Sequence, residues 1–315
     1  MPETLLAVVV QSAAAAGVTG GLLSVWRVKS PSVRLRFWVL ALSLPVVLPP
    51  LYAAAFPVRS SDVFRRSVAL FVASRWTELP AGGWRLGPAL AVALAGTGLA
   101  LFLRDLLPAL RQGWRFRAHG TDEDPRGREV GGRVASHAAR LAVAPPATGL
   151  VPDDEAAYLY CRGFLAPSVA VSTGALATLS PDELDAALAH EVAHVAGRHL
   201  VLGWGLIGLR CLLFWNPVAQ IVGRTAVLEM ERAADAAAAA VTGRPASVAS
   251  ALAKLGVMAD DDGINRPGGL RFSVVKARLL RLAEAAGDPE PDGLDPLRLP
   301  LAGVAIALLV FFVVA

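Results

Sequence analysis

Three of the five histidines in this chain lie close together, in the run His190-Glu191-Val192-Ala193-His194 and at His199. Upstream, Ser180-Pro181-Asp182-Glu183 has an N-cap serine, a proline at the first helical position and a glutamate three residues after the cap, which predicts a helix start. On that helix His190 and His194 lie one turn apart on one face, so both imidazoles can bind one zinc ion. Glu191 is rotated by about 100°. Its carboxylate can therefore act as a general base without being a metal ligand.

The alternative interpretation of this pentad, residues 190–194, is that the two histidines and the glutamate lie on a helix face and bind no metal. The neighbouring residues are apolar, among them Leu188, Ala189 and Val195. An imidazole without a partner is costly to bury in such surroundings. The apolar setting therefore favours a metal site over histidines that bind no metal.

His199 is the nearest candidate for a third ligand. The metzincin pattern has a glycine three residues after the second histidine, where this chain has Gly197, and a third histidine three residues later, where it has Leu200. His199 comes one residue early, and on a continuing helix it would point about 140° away from His194. We expect His199 to support a ligand histidine or to lie at the surface, and a role as third ligand stays the alternative.

The second candidate is the Ala-rich, helical segment Glu229-Met230-Glu231-Arg232-Ala233-Ala234-Asp235. A pentad followed some forty residues later by Glu-x-x-Ala-Asp resembles the gluzincin-type integral membrane metallopeptidases. This resemblance implies that Glu231 is the third zinc ligand and that Asp235 supports a ligand histidine. Glu229 is the alternative ligand.

Within that group, residues 139–240 most resemble the BlaR/MecR type of antibiotic-response peptidase, through Pro167-Ser-Val-Ala-Val-Ser-Thr-Gly-Ala-Leu, Leu179-Ser-Pro-Asp-Glu-Leu and Phe214-Trp-Asn-Pro. That type usually has Asp at the position of His199, a difference that brings the chain closer to the related HtpX and CAAX-prenyl protease group. We expect no C-terminal sensor domain, so β-lactam sensing is not implied. The resemblance implies a zinc endopeptidase that cleaves a regulatory protein such as a transcriptional repressor. Membrane-protein quality control is the alternative role, and a non-catalytic scaffold or receptor with a structural zinc site is a further one.

The composition requires a membrane protein, because 55 % of the residues are hydrophobic and only 18 % are charged. The net charge of +4 does not indicate a nucleic-acid partner, since the arginines cluster beside apolar runs rather than on one soluble face. We therefore expect a lipid bilayer and a protein or peptide substrate as partners. The sequence does not specify an oligomeric state.

Long apolar runs predict transmembrane helices, since about 20 residues cross a bilayer. The runs are Thr4–Trp26, Phe37–Val58, Leu86–Leu103 and Leu299–Ala315. Between the second and third, Val63–Trp76 predicts a short helix in the membrane interface. The short first loop is the more densely positive, which predicts that it is cytoplasmic. This orientation predicts a multi-pass protein of the plasma membrane with a cytoplasmic catalytic site.

The expected fold is mainly α, a multi-span helical membrane protein with a small α+β zincin-like metalloprotease domain. We predict a three-span region at residues 1–108, the protease domain at 109–297 and a C-terminal transmembrane helix at 298–315. A membrane-associated helical hairpin at 200–223, turning at Trp215-Asn216-Pro217, would return Glu231 to the side of the histidines.

A short strand, Ser168–Ser172, precedes the pentad. In the families that this chain resembles, such a strand lies at a sheet edge and pairs with an extended substrate. The resemblance therefore implies that Val169 and Val171 belong to a substrate-binding edge strand. An ordinary sheet strand is the alternative.

Overall fold

The computed structural model describes residues 2–81, 84–112, 119–120, 124–163, 165–261, 278–279, 282 and 296–314. The predicted fold class is confirmed: the chain is mainly helical and has a small sheet-containing part. It divides into two compact units. The first unit comprises Met1–Arg104, Leu206–Glu229 and Pro291–Ala315, and the second comprises Asp105–Gly205 and Met230–Glu290. The predicted domain boundaries stay predictions.

The described helices are α1 (Pro2–Val25), α2 (Pro31–Ala55), α3 (Asp62–Ser67), α4 (Ala73–Thr77), α5 (Leu86–Gln112), α6 (Pro125–Arg140), α7 (Thr173–Thr178), α8 (Pro181–Ala196), α9 (His199–Leu212), α10 (Pro217–Thr242), α11 (Pro245–Asp261) and α12 (Arg298–Phe311). A 3-10 helix covers Pro57–Ser60. The described strands are β1 (Phe71–Val72), β2 (Pro80–Ala81), β3 (Trp84–Arg85), β4 (His119–Gly120), β5 (Ala147–Val151), β6 (Leu159–Arg162), β7 (Ser168–Ser172) and β8 (Val313–Val314).

Within the described part of the chain, three helices are long and apolar enough to cross a membrane: Glu3–Val25, Pro31–Ala55 and Gly87–Arg104. They correspond to the first three predicted spans. Helix α12 has 14 residues, which corresponds to about 21 Å at 1.5 Å per residue. It is too short to cross a hydrocarbon core of about 30 Å alone. It packs against the first two helices, where Ala302 joins Leu23 and Phe37 in a buried cluster.

The prediction of a single interfacial helix at Val63–Trp76 is wrong. The segment forms two short helices, α3 and α4, on either side of strand β1. Strand β1 pairs in parallel with β8, and the Leu70 N–H donates to the Phe312 carbonyl at 2.9 Å. These bonds to the end of the chain take up backbone groups that a continuous helix would have satisfied internally.

Helices α9 and α10 are joined by a tight turn at the position that the sequence indicated. The Asn216 side chain caps α10 by accepting from the backbone N–H groups of Val218 and Ala219. Within the first unit, the Arg210 guanidinium donates to the Gln220 side chain at 3.0 Å. The first turns of α10 thus pack back against the end of α9, as a helical hairpin requires.

The second unit contains a four-stranded sheet in the order β4-β5-β7-β6. Strands β5 and β7 are parallel, and the two outer pairings are antiparallel. The core lies between this sheet and the helices α6 and α8, where Val134 and Leu188 pack against the sheet valines. The sheet and its core fix the position of α8, which carries the pentad.

The prediction that Val169 and Val171 belong to an edge strand is wrong. Their strand, β7, is interior, because β5 pairs with one side of it and β6 with the other. Both valine side chains are fully buried in the core. The alternation of residues along Ser168–Ser172 did predict a strand. The number of strands that pair with it depends on segments that are distant in the sequence. Among the described strands, the one at the edge beside β7 is β6.

Candidate metal centre

The helix that carries the pentad begins as the sequence predicts. Ser180 and Glu183 form a reciprocal capping box at the first turn of α8. The Glu183 carboxylate also accepts hydrogen bonds of 2.6 Å from Ser250 and from Lys254 on α11. The Lys254 ammonium, together with these hydrogen bonds, lowers the pKa of Glu183 to about 2. The start of α8 is therefore fixed by both backbone and side-chain contacts.

His190, His194 and Glu231 converge on one point in the second unit. The Nε2 atoms of the two histidines are 3.1 Å apart. The Glu231 carboxylate oxygens lie 3.7 Å from the Nε2 atom of each histidine. The three side chains keep exposed fractions of 12 to 17 %. The structure thus brings together the three residues that the sequence analysis assigned to one metal.

These separations fit a zinc ion. Ligands about 2.05 Å from a tetrahedral metal are about 3.3 Å from one another, and the observed values of 3.1 and 3.7 Å bracket that spacing. Two imidazoles and one carboxylate are a donor set that catalytic zinc sites use, with one position left for water or substrate. The two Nε2 atoms also face each other at hydrogen-bond distance, an arrangement that a shared cation would stabilise.

Two further residues orient the histidine rings. The Nδ1 atom of His190 lies 3.0 Å from an oxygen of Asp235. The Nδ1 atom of His194 lies 3.1 Å from the Nδ1 atom of His199. Because each contact uses the ring nitrogen that faces away from the cluster, it helps to hold the ring with its Nε2 atom turned toward the proposed metal position.

His199 is not part of the ligand group that the structure brings together. It is buried beside His194, as expected for a residue that supports a ligand. Gly197 makes room for it, since a Cβ atom at that position would collide with the His199 ring. The glycine that mimics the metzincin pattern thus has a steric role here.

Arg278 is a residue of the site that the sequence analysis missed. Its guanidinium donates to both Asp235 oxygens at 2.7 and 2.6 Å and lies 3.1 Å from Glu231. One arginine thus pairs with two carboxylates around the histidines. No spacing rule connects it to the pentad, and the neighbouring Arg281 has the same setting in the sequence, so no local signal could have identified it.

Glu191 lies on α8 beside the ligands. Burial and the nearby Glu231 carboxylate raise the pKa of Glu191, while His190 opposes this shift. Helix α8 packs against the edge strand β6, whose Cys161 lies close to Glu191. Burial and the Glu191 charge raise the pKa of the Cys161 thiol to about 12. Without a bound metal, the thiol therefore stays protonated at neutral pH and is not a nucleophile there.

Glu229, the alternative third ligand, has a different partner. It is buried in the first unit, where the Arg34 guanidinium donates to its carboxylate at 2.9 Å. An ion pair of this kind satisfies a buried charge. The arrangement favours Glu231 over Glu229 as the ligand.

Comparison with known proteins gives matches of two kinds. Residues 160–257 match the protein family described as BlaR1 peptidase M56. The chain is also similar to several proteins named Protease HtpX homolog. One, from Desulforapulum autotrophicum, is 33 % identical in an alignment that covers 28 % of this chain and 40 % of the relative. Another, from Methanosarcina mazei and named Protease HtpX homolog 2, is 34 % identical over 29 % of this chain and 42 % of its own length.

A longer match is to a Protease HtpX homolog from Acidiphilium cryptum, which is 26 % identical over 69 % of this chain and 86 % of the relative. The matches to the Desulforapulum and Methanosarcina proteins span only about two fifths of those relatives. Taken with the apolar helices, the similarities support a membrane metallopeptidase of the HtpX/BlaR kind and do not distinguish between the two.

Proposed function

We propose that this protein is a zinc metalloendopeptidase that hydrolyses peptide bonds of protein substrates at the cytoplasmic face of the plasma membrane. The observation that carries the proposal is the convergence of His190, His194 and Glu231, with Glu191 on the same helix as the histidines. The segment that matches the peptidase family, residues 160–257, contains all four residues.

Zinc, when bound by His190, His194 and Glu231, supplies Lewis acidity that activates water and polarises a peptide carbonyl. The Glu191 carboxylate takes a proton from the attacking water and returns it to the leaving amine. Asp235 and the other polar neighbours hold the ligand rings in place.

The edge strand β6 offers a binding surface for an extended substrate beside α8. The Ser172 N–H donates to the Tyr158 carbonyl at 3.0 Å, so the backbone groups of alternate residues from Tyr158 onward point toward β7. Those of Leu159 and Cys161 point the other way, and the Cys161 N–H already donates to the Glu191 carboxylate. A substrate strand can pair with the outward groups of Leu159. We expect Leu159→Pro, which removes the outward N–H group of Leu159, to raise KM without loss of zinc, and Leu159→Ala to have a smaller effect.

The main test is the Glu191→Gln variant of the full chain in detergent. It keeps the size and hydrogen bonding of the side chain but cannot accept a proton, so zinc content should be unchanged and cleavage of peptide substrates should fall by about 10²–10⁴. The matched control is Glu129→Gln, which changes an exposed glutamate on α6 and should alter neither quantity. Cleavage by Glu191→Gln at the wild-type rate would contradict the mechanism.

The similarity to the BlaR1 peptidase family supports regulatory proteolysis, such as cleavage of a transcriptional repressor. The HtpX names support quality control of membrane proteins as the alternative. Comparing the proteomes of cells with wild type and with Glu191→Gln separates the two roles. A single accumulated regulator is expected for the first role, and many membrane proteins for the second. A wild-type protein that holds one zinc per chain and cleaves no peptide would instead favour a non-catalytic scaffold.

The cytoplasmic location of the site is tested by labelling a cysteine introduced at Glu129, in a chain whose Cys161 and Cys211 are replaced by serine. A membrane-impermeant maleimide should react with it only after the membrane is opened. Reaction in intact cells would place the site on the other face.

A further inference from the structure

A cavity of about 230 Å³ lies within the first unit, between α1, the end of α2 and strand β8. Apolar side chains such as Val8 and Phe56 form much of its wall. The polar residues that line it include Gln11, Arg59 and Arg65. No step of the proposed peptidase reaction uses this cavity.

The positive charge in this cavity has no acidic counterpart. Arg59 is buried, and it donates only to backbone carbonyls, those of Val310, Phe311 and Val313. Among the residues that the structure describes, no carboxylate lies within 4.0 Å of the guanidinium group of Arg59 or of Arg65. Since buried charges are normally paired, the cavity is suited to an anion.

Two buried polar atoms at the cavity also lack a partner. Gln11 is only 3 % exposed, and its amide nitrogen donates to the Val313 carbonyl at 2.9 Å. The Oε1 atom of Gln11 and the Nε atom of Arg65 have no hydrogen-bond partner in the described structure. Buried polar atoms of this kind are expected to bind a ligand or water. If the Gln11 amide and the Arg65 guanidinium turn toward the cavity, they offer an acceptor to a hydroxyl group and a donor to an anion.

We propose that this cavity binds the anionic head of a membrane amphiphile, a phosphate ester that carries an acyl chain. The cavity lies where α1 begins and α2 ends, which is the headgroup level of a bilayer if these helices cross it. Its rim includes the exposed residues Ala53 and Phe56, so it opens on the outer surface of the unit. The volume holds a head and its first carbons, and the acyl chain leaves through the opening.

A free phosphate ion would satisfy the arginines but would leave the apolar wall uncovered. A glycerol phosphate head matches both sets of groups, because its phosphate accepts from Arg59 and Arg65 and its hydroxyl groups can donate to Gln11. The proposal concerns the first unit alone and does not depend on peptidase activity.

The test is equilibrium binding of lysophosphatidylglycerol to the full chain in neutral detergent, followed by native mass spectrometry. Lysophosphatidylcholine, which has the same chain and no net charge, should bind at least about tenfold more weakly. Arg65→Gln should lower the affinity for lysophosphatidylglycerol about tenfold, equivalent to about 1.4 kcal/mol. The matched control is Arg66→Gln, which changes the next residue of α3, an exposed arginine that does not line the cavity.

Ala53→Trp fills the opening without changing either arginine, and it should also weaken binding. Arg59 is left intact in all variants because it holds the end of α12. Equal affinities of the Arg65 and Arg66 variants, or equal binding of the two lipids, would overturn the proposal. Displacement of the lipid by inorganic phosphate at similar concentrations would show a simple anion site instead.

Discussion

Arg278 permits a quantitative test of how the metal site is supported. Its guanidinium holds both oxygens of Asp235, at 2.7 and 2.6 Å, and lies 3.1 Å from Glu231. Arg278 and Asp235 are 5 % and 2 % exposed. The perturbation is Arg278→Gln, which removes the charge and the two parallel hydrogen bonds together.

The expected loss has two parts. Removing one partner of a buried ion pair typically costs about 3–5 kcal/mol of stability, because a carboxylate stays buried without its counterion. Releasing Asp235 from Arg278 also loosens its contact with the Nδ1 atom of His190. Changes to groups that orient a metal ligand typically lower metal affinity about 10–100-fold. Arg278→Lys keeps the charge but cannot bind both Asp235 oxygens at once, so its loss should be smaller.

The assay is competition for zinc between the full chain in detergent and a fluorescent chelator. Circular dichroism verifies that each variant is folded, and the absorption spectrum of the cobalt-substituted protein reports the geometry around the metal. The matched control is Arg126→Gln, which changes an exposed arginine of α6. If folded Arg278→Gln bound zinc within about twofold of wild type with an unchanged cobalt spectrum, the assigned role of Arg278 would be refuted.

Three further variants test other contacts of the structure. Gly197→Ala should displace the His199 ring from its place against the backbone and weaken zinc binding about tenfold, as measured by chelator competition. Unchanged zinc affinity would show that the ring tolerates the methyl group. Glu183→Gln should lower the free energy of unfolding by about 1–2 kcal/mol near neutral pH. The pKa of Glu183 is lowered to about 2 in the folded protein. The stability difference between wild type and variant should therefore be present above about pH 4.3 and vanish as the pH falls toward 2. Thermal unfolding across this pH range measures the difference, and a difference independent of pH would contradict the ion pair. Glu229→Gln should lower thermal stability, because Arg34 loses its ionic partner. Metal analysis should show the same zinc content as in wild type, and loss of zinc would restore Glu229 as a candidate ligand.

The elements set by local patterns were predictable from the sequence. Residues Ser180 to Glu183 predicted the start of α8 because a capping box is formed by neighbours along the chain. The first three spans followed from long apolar runs. The predictions of an interfacial helix and of an edge strand were wrong for a common reason, because both depend on pairing with distant segments. Strand β1 pairs with residues at the far end of the sequence, and β7 has neighbours on both sides.

The site itself was predictable in unequal parts. Helical spacing brings His190 and His194 together without reference to the rest of the fold. The placement of Glu231 and Asp235 depended on a resemblance, because no local geometry relates α8 to α10. Arg278 comes from a third segment, and its role depends on contacts with Asp235 and Glu231 that only the folded chain reveals. Predictability therefore falls as the number of segments that build the contact rises.

We expect the order of the segments to couple formation of the proposed metal site to folding of the apolar part of the chain. After the histidines of α8, the chain enters the first unit at Leu206 and returns to the second unit at Met230, one residue before Glu231. The proposed third ligand therefore follows a helical segment, residues 206–229, that belongs to the first unit. A zinc site formed only by folding contributes its binding free energy to stability. Zinc should accordingly stabilise the full chain, and substitutions that unfold this helical segment should weaken zinc binding without touching a ligand. The high apolar content of this sequence thus contributes to the chemistry of the site through the path that the chain takes between its ligands.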